Sequence, residues 1–419
     1  MTNNEEFLQE AQRRYADANA AGLRWLLERP VLHGAFLNTK QNSITLADYG
    51  PADGLRGPDY TYGWIQGRGL EALAIHAAYF EHSEPELAGR LDGVARKLYH
   101  ALDALWERDG HAYFCYDETL QPILAGDGVA EPFSKPPTDI YTYSDIFVTK
   151  GLLAAAARYA PGDVDRHLEK FSAIIDAIEQ RRFQMNERVA LSHEAVAQQA
   201  DDFGPRMILL GAAGPLVRMG RGEAAGFADR FIANVLERYF DPASGLLRNT
   251  PGDDVCNVGH GIEFVGFALD YLGDDVGAGM LAQLETILLA SFASGFHDPG
   301  IRLTVSAKTG EPLSPYCPWW SLPETIRSAA LAYERSGRQE VLAVWQKAHT
   351  AFFTNYWRGA PAIAYQTRTE AGAVDYVPAT PDLDPGYHTG LSLLAAINAA
   401  SRIVDRSTLM QGKAEPWLA

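Results

Sequence analysis

The stretch Cys256 to Asp270, read CNVGHGIEFVGFALD, sets an imidazole and a carboxylate at the head of an apolar run. His260 and Glu263 stand three apart, so on a helix they share one face near its N-terminus. Comparable groups open five other apolar segments: Trp64, Gln66 and Arg68; Tyr143 and Asp145; Arg206; Trp319, Trp320 and Glu324; Tyr387 and His388. Taken through Arg68, Asp145, Arg206, His260, Glu324 and His388, they recur every 54 to 77 residues. Burying an ionic group costs several kcal/mol unless it is paired, so this recurrence asks for a chemical reason. Two histidines with ordinary pKa values of about 6.5 can pass a proton in opposite directions near neutral pH. Arg68 can hold a developing oxyanion, and Glu324 or Glu263 can fix a histidine's tautomer. A base, an acid and an oxyanion stabiliser are what proton abstraction next to a carbonyl requires.

Singly, each residue has a plainer explanation. An arginine at a helix start is usually a surface or ion-pair residue. Glu324, just inside a helix start, would stabilise the helix dipole. The tryptophans fit a core as well as a sugar-stacking platform. Coincidence at one end of the molecule carries the case.

The elements that must position these groups are legible from periodicity. Helical patterns fall near 5–28, 62–82, 84–107, 141–159, 163–182, 204–219, 223–239, 260–272, 276–293, 323–336, 339–356 and 386–404. Longer glycine- and proline-rich connections follow every second one. The odd-numbered helices are amphipathic, whereas most even-numbered ones are poor in charge, as helices covered on both sides should be. Such alternation predicts an all-α fold, an (α/α)6 barrel with six inner and six outer helices, spanning 1–419 as one domain. An open solenoid would need polar capping helices, and the last helix, with SLLAAINAA, is too apolar for that. The segments HAYFCYD and AIAYQTRT predict short β-hairpins over one end of the barrel.

Composition narrows the partners. Of 419 residues 47% are hydrophobic, the formal net charge is −17, and no basic stripe appears, so neither nucleic acid nor an anionic membrane is an expected partner. Cys115, Cys256 and Cys317 are far apart, without the spacing of disulfide scaffolds or zinc knuckles. The N-terminus lacks the apolar core of a signal peptide and no membrane span is evident, so a soluble cytoplasmic protein is expected. HxxE occurs once on an inner helix, and neither a phosphate loop nor a dinucleotide fingerprint is present; no metal or cofactor is therefore expected. His193-Glu194 and His297-Asp298 read as surface loops.

Four segments now carry a resemblance. Tyr62-Gly63-Trp64-Ile65-Gln66-Gly67-Arg68, Gly259-His260-Gly261-Ile262-Glu263, Trp319-Trp320 with Pro323-Glu324, and Tyr387-His388 resemble, in the same order, motifs of the N-acylglucosamine 2-epimerase family. That group includes cellobiose 2-epimerases and several aldose–ketose isomerases, and the resemblance covers nearly the whole chain. It implies an (α/α)6 barrel that opens a small carbohydrate, deprotonates it at C2 and reprotonates it at C2 or C1. Residue by residue it implies His260 and His388 as the acid/base pair, Arg68 beside the C1–C2 oxygens, and Glu324 as an essential glutamate. Trp64, Gln66, Tyr143, Asp145, Arg206, Glu263, Trp319, Trp320 and Tyr387 are expected to bind substrate. The segment Gly204-Pro205-Arg206-Met207 is closer to the N-acyl epimerases, which favours 2-epimerisation of an N-acylhexosamine or related aldose; a homodimer would be in keeping with the family. An aldose–ketose isomerase is the second reading. A glycoside hydrolase needs two carboxylates roughly 5–9.5 Å apart, and Asp145 with Glu324 is the pair for that. A sugar- or protein-binding barrel without catalysis is the last.

Overall fold

Charge-poor and amphipathic helices alternate along most of the chain, and the fold arranges the helices in two concentric rings. The computed structural model describes residues 3–126, 128–133, 137–376 and 379–413; Val377 and Pro378 of the last long loop lie outside these. The helices are α1 (Asn3–Glu28), α2 (Gly63–Phe80), α3 (Pro85–Asp109), α4 (Tyr143–Tyr159), α5 (Val164–Glu179), α6 (His193–Gln198) and α7 (Gly204–Leu210). They continue as α8 (Ala213–Arg218), α9 (Phe227–Arg238), α10 (Val258–Leu272), α11 (Ala278–Gly295), α12 (Ser321–Ser336), α13 (Gln339–Ala351) and α14 (Ser392–Lys413). Around the axis α2 packs on α4, α4 on α7, the α7–α8 pair on α10, α10 on α12, and α12 on α14; the turn leading into α14 closes the ring on α2. Outside stand α1, α3, α5, α9, α11 and α13. This is the (α/α)6 barrel expected. Among the described residues no helix is long and apolar enough to cross a membrane.

Three elements differ from expectation, each for a local reason. The third inner helix is broken between Leu210 and Ala213. Pro215 lacks the N–H that would bond back to Gly211, and its ring would clash with that carbonyl in a continuous helix. His193 does not lie in an irregular loop but opens the short α6, whose N-cap Ser192 accepts from the Ala195 amide at 3.1 Å. The last helix begins with a π-helical turn, Tyr387–Leu391, and runs on to Lys413 instead of ending near Val404. π-helical turns are rare and are frequent at functional sites.

The ring is tight where glycine allows it. A Cβ on Gly67 of α2 would lie 2.5 Å from the backbone of Phe147 in α4, so the two inner helices touch main chain to main chain there. Short strands cover one end, as HAYFCYD and AIAYQTRT suggest. Thr61–Tyr62, Cys115–Tyr116, Pro122–Gly126 and Val129–Pro132 form an antiparallel sheet, and Cys317–Pro318 pairs with Thr367–Thr369. The two-residue strands Thr61–Tyr62, Tyr141–Thr142, Val255–Cys256 and Cys317–Pro318 lead directly to α2, α4, α10 and α12. The inner helices therefore present their N-termini to one shared mouth.

Candidate active site

A cavity of about 340 Å³ opens at that mouth. From the helices named in the sequence it takes Trp64 and Arg68 (α2), Tyr143 (α4), His260 and Glu263 (α10), Trp319 and Trp320 just before α12, and His388 in the π turn. Local structure explains why they point together. Asn257 caps α10 by accepting from the His260 amide at 3.2 Å. Asp384 accepts from the amides of Tyr387, His388 and Thr389 at 2.9, 3.2 and 2.8 Å, which anchors the turn bearing His388. Gly386, with φ of +89°, makes the sharp bend between cap and turn.

At the centre His388 Nδ1 lies 2.9 Å from Glu324 Oε1. Glu324 is fully buried, and its other oxygen is 3.0 Å from Arg327 one turn along α12. Burial pushes the Glu324 carboxyl up, but Arg327 and the His388 hydrogen bond and charge pull it below the ordinary carboxylate value. His388 is held below the usual imidazole value: burial, together with Arg68, outweighs the support from Glu324. An anionic Glu324 beside a neutral imidazole fixes the tautomer: Nδ1–H donates to the carboxylate, and Nε2 keeps its lone pair. Glu263 Oε1 lies 3.9 Å from the same Nδ1. Burial and the nearby Glu324 push Glu263 up to about 8, so it carries a proton at neutral pH.

His260 and His388 both lie against Trp320. The two imidazoles face the Trp320 ring at centroid distances of 5.4 and 5.7 Å, tilted by 33° and 36°. Burial, His388 and Arg68 hold His260 down to about 4, so it too is neutral in the empty site. Arg68 is stacked in aromatic faces, its Cζ 4.0 Å from the centre of Phe147 and 5.4 Å from those of Trp64 and Tyr387. Its Nε has no hydrogen-bond partner, and burial lowers its pKa. A guanidinium so placed is an oriented cation with donors to spare.

Other residues expected to bind substrate stand elsewhere. Gln66 is spent on structure: its Oε1 accepts from the Leu37 amide at 2.8 Å and its Nε2 donates to the Leu37 carbonyl at 3.0 Å, tying down the N-terminal loop. Asp145 closes a capping box with Thr142 and also takes His111 and the Ala112 amide. It is not in the cavity wall, so the hydrolase pair of Asp145 with Glu324 is not assembled across the cavity. Arg206 sits over Phe231 of the outer helix α9, and Ile208 faces the cavity from α7 instead. Tyr387 turns its hydroxyl to Lys150 Nζ at 2.6 Å and supports Arg68 from behind. Glu324 reaches the cavity only through His388.

Several wall residues carry no periodic signal: Asn257, Phe147, Leu303, Thr304, Thr380, Asp382 and Asp384. Asp382 is bound by Thr39 at 2.7 Å and Lys40 at 3.0 Å, a buried link between the first and last long loops. Glu187, from the loop after α5, receives Trp64 Nε1 at 2.6 Å and the Ser144 hydroxyl at 2.5 Å and so orients the indole. The one available clue was at Asp384, an Asp–Pro–Gly sequence just ahead of a helix.

Glu263, Glu324 and His388 bring three ligand atoms within 4.8 Å, as do Asp103, Asp163 and His167 between outer helices. In the cavity both Glu324 oxygens already face donors, Arg327 and His388, and a divalent ion there would sit against the guanidinium. The donor set suits a proton network better than a cation.

No family model matches the sequence, and no curated protein matches it either. Solved structures share the fold over nearly the whole chain. A cellobiose 2-epimerase from Bacillus thermoamylovorans B4167 is 16% identical, with 94% of this chain and 99% of that chain covered and a TM-score of 0.71. A D-mannose isomerase is 11% identical, with 95% and 99% covered and a TM-score of 0.66. An unsaturated glucuronyl hydrolase specific for heparin is 9% identical, with 94% and 98% covered and a TM-score of 0.56. These likenesses establish the barrel fold and span two kinds of reaction, so the chemistry is argued from the residues.

Proposed function

We propose that the chain is a sugar 2-epimerase of the N-acylglucosamine 2-epimerase type, acting on the open-chain form of an N-acylhexosamine or related aldose. The observation that carries this reading is the His388–Glu324 bond at 2.9 Å in a cavity that also holds His260 and an oriented Arg68.

In the proposed reaction His388 Nε2 takes the C2 proton of the aldose. The electron pair of that C–H bond moves through C1–C2 to the carbonyl oxygen, giving an enolate, or an enediolate where C2 bears a hydroxyl, that Arg68 stabilises. The site has replaced water with fixed charges, so this stabilisation costs little reorganisation. Charge on Arg68 is part of what keeps His260 neutral, and this anion neutralises that charge and raises the histidine's proton affinity. Glu263, protonated and three residues along the same helix, is the proton reservoir from which His260 is charged. Return of a proton to C2 from the His260 side inverts the centre. Return at C1 would give a ketose, which is the isomerase reading on the same groups. The tryptophans and Tyr143 supply aromatic faces for the sugar, while Ile208 and Leu303 form an apolar flank suited to an N-acyl methyl.

The test is exchange. With N-acetylglucosamine or N-acetylmannosamine in D₂O, the wild type is expected to place deuterium at C2 of both epimers. With mannose or glucose, whose C2 carries a hydroxyl, appearance of a ketose in place of the epimer would decide for the isomerase, and release of an aryl glycoside's aglycone without C2 exchange would decide for a hydrolase.

A further inference from the structure

The bore of the barrel continues behind the catalytic layer. Past Tyr387 a second space opens toward the other end of the inner ring, about 190 Å³ along the axis and about 550 Å³ between α2, α4 and α8. Lys150 and Glu71 border both parts. Small side chains keep it open, among them Ala74, Ala154, Ala157 and Ala395. Side chains this small leave the bore wide at a depth where cores are usually filled, which invites a reason.

Its charged groups supply one. Lys150 is 3% exposed and Arg327 6%. Both stand over the same Phe267 ring, Lys150 Nζ at 5.7 Å and Arg327 Cζ at 4.9 Å from its centre. Two buried cations on one ring repel; each has one carboxylate at ion-pair distance, and the Glu263 carboxyl, protonated at neutral pH, faces both. Glu71 lies 3.5 Å from Lys150, too long for a good hydrogen bond, and Glu324 is shared with His388 on the catalytic side. Lys150 otherwise donates to the Tyr387 hydroxyl, and Arg327 meets no further hydrogen-bond acceptor among the described residues. Both cations line the bore, and between them they carry more N–H donors than these partners use. The way in is lined by Arg218 and Arg402, half exposed and paired with Asp270 and Glu334.

We propose that the rear bore binds a small oxyanion, a carboxylate or phosphate group, between Lys150 and Arg327. Such a group relieves the repulsion between the cations and takes charge-assisted hydrogen bonds from both. It also reaches the catalytic layer by two short routes, Lys150 to Tyr387 and Arg327 to Glu324 to His388. On the epimerase reading, a bound negative charge there stabilises the His388 imidazolium and moves the acid limb of the rate profile to higher pH.

Calorimetry on the full chain, in a buffer of bulky ions, tests the site with inorganic phosphate and with acetate as probes. The wild type is expected to bind at least one of them at a single site, and whichever binds identifies the oxyanion class. Lys150→Met is expected to weaken that binding at least tenfold. Ala395→Leu, which fills the bore and leaves every charge in place, is expected to abolish it while keeping the wild-type circular dichroism. Absence of binding to the wild type by either anion overturns the proposal, as does binding that persists undiminished in Ala395→Leu. The readout is heat of binding alone, so its failure is separate from any failure of the C2 chemistry.

Discussion

His388 acts in this site through the group behind it. Glu324 keeps the Nδ1 proton in place and Arg327 keeps Glu324 ionised, so the proposed base is built by two residues outside the cavity wall. Glu324→Gln preserves shape but no longer demands a proton on Nδ1; kcat is expected to fall roughly 10²–10⁴-fold with little change in KM, and Glu324→Asp should recover part of it. The pH profile follows from the two directions. His388 must be unprotonated and its pKa is held below the ordinary 6.5, so kcat/KM should fall only as pH drops below that value. Glu263 must be protonated and titrates at about 8, so activity should fall again above about pH 8. In Glu263→Gln the alkaline limb should disappear; its survival there would remove Glu263 from proton transfer. At this scale the sequence brought out His260 and His388, which the structure places in one cavity, because they recur in register at the heads of apolar segments. It could not separate Gln66 and Asp145 from the true wall residues, since a polar side chain near a helix N-terminus serves a cap or a loop tether equally well.

Among the elements, the π turn and the glycine crossing hold most of the geometry. Asp384 bonds three successive amides around His388, so Asp384→Ala should cost about 0.5–2 kcal/mol, as the loss of a helix cap does. It should also cut kcat by more than that loss of stability alone would suggest, because the catalytic turn loses its anchor. Gly67→Ala should push α2 off α4 and destabilise by about 1–3 kcal/mol or more, read as a lower midpoint at unchanged slope in urea unfolding. Twelve helical patterns were enough to place the rings, because burial on both sides depletes most inner helices of charge; α11 and α12 reverse this, the outer helix holding Glu285 alone and the inner one Glu324, Arg327, Glu334 and Arg335. The break after Leu210 was less visible. Its cause, Pro215, sits inside an apolar run whose periodicity continues through it.

For the whole molecule, the closed ring places its inner-helix N-termini at one mouth and leaves a second space at the other end of the bore. Charge is distributed accordingly: Arg68 and the histidine–glutamate network face the catalytic cavity, and Lys150 and Arg327 face away from it. Closure of the ring by the last helix on the second is what brings His388 to residues more than sixty positions earlier, and no local pattern carries that distance. Regular spacing alone made it legible. The central claim is that this convergence removes and returns the C2 proton of an aldose, and proton NMR of N-acetylglucosamine or N-acetylmannosamine in D₂O reads it directly. The wild type is expected to exchange the C2 proton while the epimer accumulates, and His388→Ala, folded as judged by its thermal transition, is expected to leave that proton in place. Full C2 exchange by His388→Ala, or none by the wild type on any N-acylhexosamine or aldose, would contradict it.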